Sequence, residues 1–177
     1  MTTDEQTGSA PQTIDAAEER EELTYDLFGT AVRELAEQVA ASGWEPDWIL
    51  SIARGGLLIG GGLAYALGMK NVATMNVEFY TDVETRRDVP VVLPPVLELV
   101  HLADTRVLVA DDVADTGETL QLVRDMLADT VAEVRTLVIY EKPRSVIRPD
   151  YVWRRTDRWI NFAWSVQPPV TRRPGVF

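Results

Sequence analysis

An apolar run that ends in acids constrains this chain more than any other feature. Val107, Leu108, Val109 and Ala110 lead straight into Asp111 and Asp112, and Asp115, Thr116, Gly117, Glu118 and Thr119 follow. A short continuous apolar run fits a strand buried on both faces, as in a parallel sheet. The acids, the turn and the loop after it read as the opening of a helix. In open α/β sheets, ligands bind beyond the carboxyl ends of the strands. Hydroxyls, a glycine and free backbone N–H groups at a helix start suit a phosphate. Two carboxylates just before that loop suit sugar hydroxyls or a metal ion. The bland alternative is that Asp111 and Asp112 merely end a strand and Asp115 caps a helix. The density of ordered polar positions speaks against it.

The rest of the chain supplies the other layers of such a fold. Leu27, Phe28, Ala31, Val32, Leu35 and Val39 recur at three and four residues, one helical stripe that Ser42 and Gly43 stop. Residues 48–52 read as a buried strand after a Pro46-Asp47 turn, and residues 57–67 as a helix. A second strand is expected over residues 72–79. Residues 80–95 are charged and contain proline, so they read as an extended loop, followed by a short helix over 97–102. Helical spacing resumes over 119–128, with Leu120, Val123, Met126 and Leu127 on one face, and 134–140 reads as a strand. Alternating strands and helices imply an α/β fold with a central parallel sheet flanked by helices. Residues 1–20 read as a flexible acidic tail, and residues 21–177 as one domain with a full core.

Charge and composition exclude several classes. The net charge of −11 argues against a general nucleic-acid binder, which needs basic charge to displace counterions. The chain has no cysteine and only His101, so no thiolate or multi-histidine metal centre is expected. No apolar stretch is long enough to span a bilayer and the first residues are polar, so no membrane association and a cytoplasmic location are expected.

Three further clusters carry chemistry. Ala53, Arg54, Gly55 and Gly56 follow the first core strand, where the glycines let backbone approach an anion and the arginine supplies charge. Gly60, Gly61 and Gly62 do not follow a strand in the Gly-x-Gly-x-x-Gly pattern and read as helix packing. Tyr80, Arg86 and Arg87 lie in the charged loop. Lys142 ends a strand before Pro143, and Trp159 and Ile160 follow among the C-terminal aromatics. A lysine donates to an exocyclic oxygen, and an aromatic face stacks on a base.

The segment 107–119 resembles the phosphoribosyl pyrophosphate (PRPP) binding motif of type I phosphoribosyltransferases, position by position. Lys142-Pro143 and Trp159-Ile160 before a second Trp, Trp164, resemble the bacterial xanthine–guanine and hypoxanthine branch. The resemblance covers residues 49–170. It implies a type I phosphoribosyltransferase fold with a small hood, contributed by about 80–95 and 150–177. It also implies a Mg2+-dependent purine-salvage enzyme that transfers ribose 5-phosphate from PRPP to a 6-oxopurine, giving pyrophosphate and a nucleoside monophosphate. By the same resemblance, Asp115 is the catalytic acid–base residue. PRPP would be held by Asp111, Asp112, Asp115, Thr116, Gly117, Glu118 and Thr119 together with Ala53, Arg54, Gly55 and Gly56. Asp112 and Asp111 would orient the metal. Lys142 would meet the exocyclic oxygen, Trp159 the ring, and backbone near Ile160 the edge of the base. Tyr80, Arg86 and Arg87 would belong to the closing loop, and a homodimer or homotetramer is implied. The chain departs from the branch at Asn161, an amide where an acid commonly helps read the 2-substituent. It departs again at Phe79-Tyr80, where the family has Ser-Tyr. The choice among guanine, xanthine and hypoxanthine therefore stays open. So do a transferase for another base and a non-catalytic regulator that senses PRPP or a nucleotide.

Overall fold

The computed structural model describes residues 20–82, 85–93 and 102–171, the stretches 78–82 and 85–93 by their backbone path alone. Apart from Arg20 and Leu102, the expected acidic tail and the expected short helix over 97–102 lie outside the described residues.

The elements in order are β1 (Glu21–Leu23), α1 (Tyr25–Ala41), β2 (Trp48–Ala53), α2 (Gly55–Leu67), β3 (Val72–Asp82) and β4 (Thr85–Leu93). They continue with β5 (Arg106–Ala114), α3 (Glu118–Ala128), β6 (Glu133–Glu141), β7 (Tyr151–Arg155) and β8 (Ile160–Phe162). Six strands form one sheet in the order β4-β3-β2-β5-β6-β7. Five of them run parallel and β4 is antiparallel to β3. The α/β class with a central parallel sheet is as expected.

Side-chain alternation along the strands divides the core. Ile49, Leu108, Ala110, Leu137 and Ile139 pack with α1 and α2. Their neighbours Leu50, Val107, Val109 and Val138 pack with Leu120, Val123 and Leu127 of α3 on the other face. Both faces of the sheet are covered, which is why these strands read as continuous apolar runs. Each large aliphatic side chain so buried contributes on the order of 1.5–3 kcal/mol. Helix α1 starts where the Thr24 hydroxyl accepts from Leu27 N at 3.3 Å, and it stops before Gly43 at φ 70°.

Residues 80–95 differ from the expected loop. Their described part is an antiparallel hairpin, with Phe79 opposite Pro90 and Thr81 opposite Arg86. Proline masked the strand. It is tolerated because β4 is the outermost strand and needs no ladder donor on its free side. In the C-terminal region, β7 joins the large sheet beside β6, and β8 pairs with β1 in a separate two-stranded sheet.

Candidate active site

The chain leaves β2 for β3 on one side and returns to β5 on the other, so the strand order reverses between β2 and β5. A crevice forms beyond the strand ends at such a point. The ladder between β2 and β5 ends at Ser51 opposite Ala110, whereas the β5–β6 ladder continues to Ala114 opposite Glu141. Asp111 and Asp112 therefore lie inside β5, not just past its end, and face a notch on the β2 side. The start of α2 fills that notch.

Two glycines make this approach possible. A Cβ on Gly55 would overlap the Asp112 carboxylate, and one on Gly56 would overlap the Ala110 carbonyl oxygen. Arg54, at the head of α2, is exposed and its side chain does not cap the helix. The Ala53–Arg54 peptide is cis. The first loop is thus seated against the carboxylates of the second.

The carboxylates are electrostatically loaded. Burial, and then the neighbouring Asp112 charge, push Asp111 well above the ordinary carboxylate value. Burial pushes Asp112 up to about 6. Backbone N–H of Asp112 donates to Asp111 Oδ1 at 2.9 Å, which offsets this in part. Two adjacent acids raised in this way call for positive charge or hydrogen-bond donors from a ligand.

The loop after β5 presents an open helix start. Gly117 heads α3 at φ 80°, a left-handed conformation that favours glycine, and its Cα sits against Ser145 and Ile147. No side chain caps α3 from that position. The Thr116 hydroxyl accepts from Glu118 N at 3.4 Å. The Thr116 carbonyl accepts from Val146 N at 2.8 Å, which ties this loop to the one after β6.

A cleft of about 450 Å3 opens beside Asp115, lined by Val113, Lys142, Arg144, Asp157, Trp159 and Ile160, among others. Lys142 is buried at 8% exposure, and its Nζ donates to the Arg158 carbonyl. Trp159, also in the lining, is 66% exposed. The sequence-expected residues Asp115, Lys142, Trp159 and Ile160 therefore meet in one place. Trp164 does not; it stacks on Phe162 at 5.0 Å and meets Phe28 edge-on, as a packing residue. Tyr80, Arg86 and Arg87 fall on the β3–β4 hairpin.

Sequence reasoning missed Arg144 and Asp157. Arg144 lies across Asp115, with Nε 3.1 Å from Oδ1. The signal was present in Lys142-Pro143, which turns the chain and returns Arg144 to the loop after β5. Asp157 precedes Trp159 by two residues and lines the same cleft.

The chain has recognisable relatives. The family model described as "Phosphoribosyl transferase domain" matches residues 21–171. A xanthine-guanine phosphoribosyltransferase of Vibrio parahaemolyticus is 32% identical over 158 residues, 85% of this chain and 95% of the relative. The crystal structure of a purine phosphoribosyltransferase from Pyrococcus horikoshii matches at TM-score 0.74 and 31% identity, covering 86% of this chain and 99% of that one. The xanthine-guanine-hypoxanthine phosphoribosyltransferase of Helicobacter pylori shares the fold at TM-score 0.68 and 22% identity, over 84% and 95% of the two chains. On the matched span, the two loops at the reversal point and the identity to these relatives, the chain belongs to the phosphoribosyltransferase family.

Proposed function

We propose that this chain is a purine-salvage phosphoribosyltransferase that transfers ribose 5-phosphate from PRPP to a 6-oxopurine. The observation that carries the reading is the junction at Asp115. On one side stand the loaded carboxylates and the open start of α3; on the other stands a cleft with a buried lysine and an exposed indole.

Backbone amides of residues 115–119, with the hydroxyls of Thr116 and Thr119, hold the 5-phosphate. Asp111 and Asp112 receive the ribose hydroxyls. Residues Ala53–Gly56 hold the pyrophosphate end, and the β3–β4 hairpin, with Tyr80, Arg86 and Arg87, closes over it with the C-terminal region as a hood. Closure excludes water from a cationic ribose carbon that hydrolyses readily. Lys142 keeps two donors beyond its bond to Arg158 and offers one to the exocyclic oxygen. Trp159 stacks on the ring, and backbone at Ile160 reads its edge.

Two raised carboxylates suit Mg2+, which prefers oxygen and takes one or two carboxylates plus substrate phosphate. Among the described residues no cluster of three or more such ligands exists, so PRPP itself would complete the set. When bound, the ion would neutralise charge on the departing pyrophosphate. The base nitrogen forms its bond to C1 of the ribose as the C1–oxygen bond breaks, its electron pair leaving with pyrophosphate. The proton lost from the base passes to Asp115. Positioning and electrostatics supply most of the acceleration.

Leu57, Leu58 and Tyr65 give the outer face of α2 an exposed apolar stripe, which favours a homodimer or homotetramer. Among the described residues, no helix is long and apolar enough to cross a membrane. A phosphorylated substrate and a net charge of −11 fit a cytoplasmic enzyme that does not bind nucleic acid.

The test is pyrophosphate release from PRPP and Mg2+ with guanine, xanthine, hypoxanthine, adenine, uracil and orotate in turn. Turnover with a 6-oxopurine is the expected result. Turnover confined to other bases would remove the cleft assignment, and silence with all six beside measurable PRPP binding would favour a regulator.

A further inference from the structure

Four charged side chains line the cleft: Asp115, Lys142, Arg144 and Asp157. Three already have partners. Arg144 lies on Asp115, and Lys142 donates to the Arg158 carbonyl. Asp157 makes no hydrogen bond or ion pair among the described residues. Its carboxylate is the uncommitted charged acceptor of the cleft, close in sequence to the indole of Trp159.

Asn161 does not share that position. Alternation along β8 puts Ile160 and Phe162 on the cleft and turns Asn161 the other way. Its amide donates to Glu22 Oε1 and accepts from Arg20 at 3.4 Å. The residue after Ile160 is therefore spent on joining β8 to β1.

We propose that Asp157 determines specificity by reading the 2-position of the purine, and that it makes the enzyme prefer a 2-amino-6-oxopurine. This rests on the 6-oxopurine reading above. Guanine presents two adjacent donors, N1–H and the 2-amino group, which a carboxylate receives as a parallel pair, as it receives an arginine fork. Hypoxanthine presents N1–H alone. Xanthine places a carbonyl oxygen at the 2-position, whose lone pairs face the carboxylate and are repelled. The order of preference follows as guanine, hypoxanthine, xanthine. An amide at 157 offers one donor and one acceptor, so it forfeits one guanine bond and gains one to the xanthine oxygen.

The experiment compares kcat/KM for the three bases in the full-length protein and in Asp157→Asn and Asp157→Ala. Ratios between bases cancel any loss of folded enzyme. The guanine-to-hypoxanthine ratio is expected to fall about tenfold in both variants, the scale of one hydrogen bond to a charged group at an open site. The xanthine-to-guanine ratio is expected to rise about tenfold in Asp157→Asn and to rise less in Asp157→Ala. A wild-type preference for xanthine over guanine would overturn the proposal, as would unchanged ratios in both variants. Failure of wild-type protein to use any of the three would instead overturn the 6-oxopurine reading, and the assignment of Asp157 with it.

Discussion

The guanidinium of Arg144 forks onto the carboxylate of Asp115, with Nε 3.1 Å from Oδ1 and Nη2 against both oxygens. The residues come from the loops after β6 and β5, the two strands whose ends frame the cleft. An arginine held in this way fixes the plane of the carboxylate, the one proposed to receive the proton from the base. Asp115→Asn is expected to keep PRPP binding and to lose at least about a hundredfold in kcat. Arg144→Ala is expected to lose about tenfold, because an exposed pair contributes modestly. If the two act as a unit, the double variant is no slower than Asp115→Asn alone. Steady-state kinetics of the four proteins decides it: strictly multiplicative losses would separate Arg144 from Asp115.

The glycines of α2 are not equivalent, and alanine at each gives a different outcome. At Gly56 the new methyl meets the Ala110 carbonyl oxygen, backbone that cannot swing away, so stability should drop by about 1–3 kcal/mol. At Gly55 it meets the Asp112 side chain, which can rotate. There the melting temperature holds and PRPP affinity falls. At Gly61 nothing lies within 4 Å, so alanine should add about 0.5–1 kcal/mol from helix propensity. For a domain of this size that is roughly 2–4 °C per kcal/mol. Thermal melts and PRPP titrations of the three variants test the ranking.

Chelation of divalent cations is expected to abolish pyrophosphate release, and added Mg2+ to restore it. Asp112→Asn removes one of the two raised carboxylates, so its half-saturating Mg2+ concentration should rise about tenfold. An unchanged Mg2+ requirement in Asp112→Asn and Asp111→Asn alike would place the ion on substrate alone.

The sheet and its site were legible where the sequence carried local chemistry. Val107 to Thr119 specified strand, acids and the loop that opens α3 in one segment, because every position there answers to a neighbour in sequence. The hairpin over 80–95 was not legible, because Pro90 forbids a central strand and says nothing about an edge. Arg144 and Asp157 were missed for another reason. Their roles depend on which loops lie side by side, and that is set by the parallel register of β5, β6 and β7. Asn161 shows the same limit. It follows Trp159-Ile160, where the resembling branch commonly has an acid that reads the base, while the pairing of β8 with β1 turns it to Glu22.

Glu141 is expected to make the stability of the cleft walls depend on pH. Its side chain is fully buried at the end of β6 and receives Arg155 Nε at 2.6 Å and the guanidinium of Arg148. One arginine comes from the loop after β6 and the other from the end of β7, so a single carboxylate joins the two walls of the cleft. Burial pushes this carboxyl up, but the hydrogen bonds from Arg148 and Arg155 outweigh it and hold it below 4.5, its ordinary value. A carboxyl lowered by folding stabilises the protein fully above its unfolded value, and that contribution is lost as pH falls through the folded one. Glu141→Gln leaves two guanidiniums around a neutral amide. Because both arginines are largely exposed to water, the cost should be about 2 kcal/mol, less than for a fully enclosed pair. The difference in melting temperature between wild type and Glu141→Gln should be constant from about pH 8 to pH 5 and shrink below it. A difference that persists undiminished at pH 3.5 would mean that the carboxylate charge does not hold these loops.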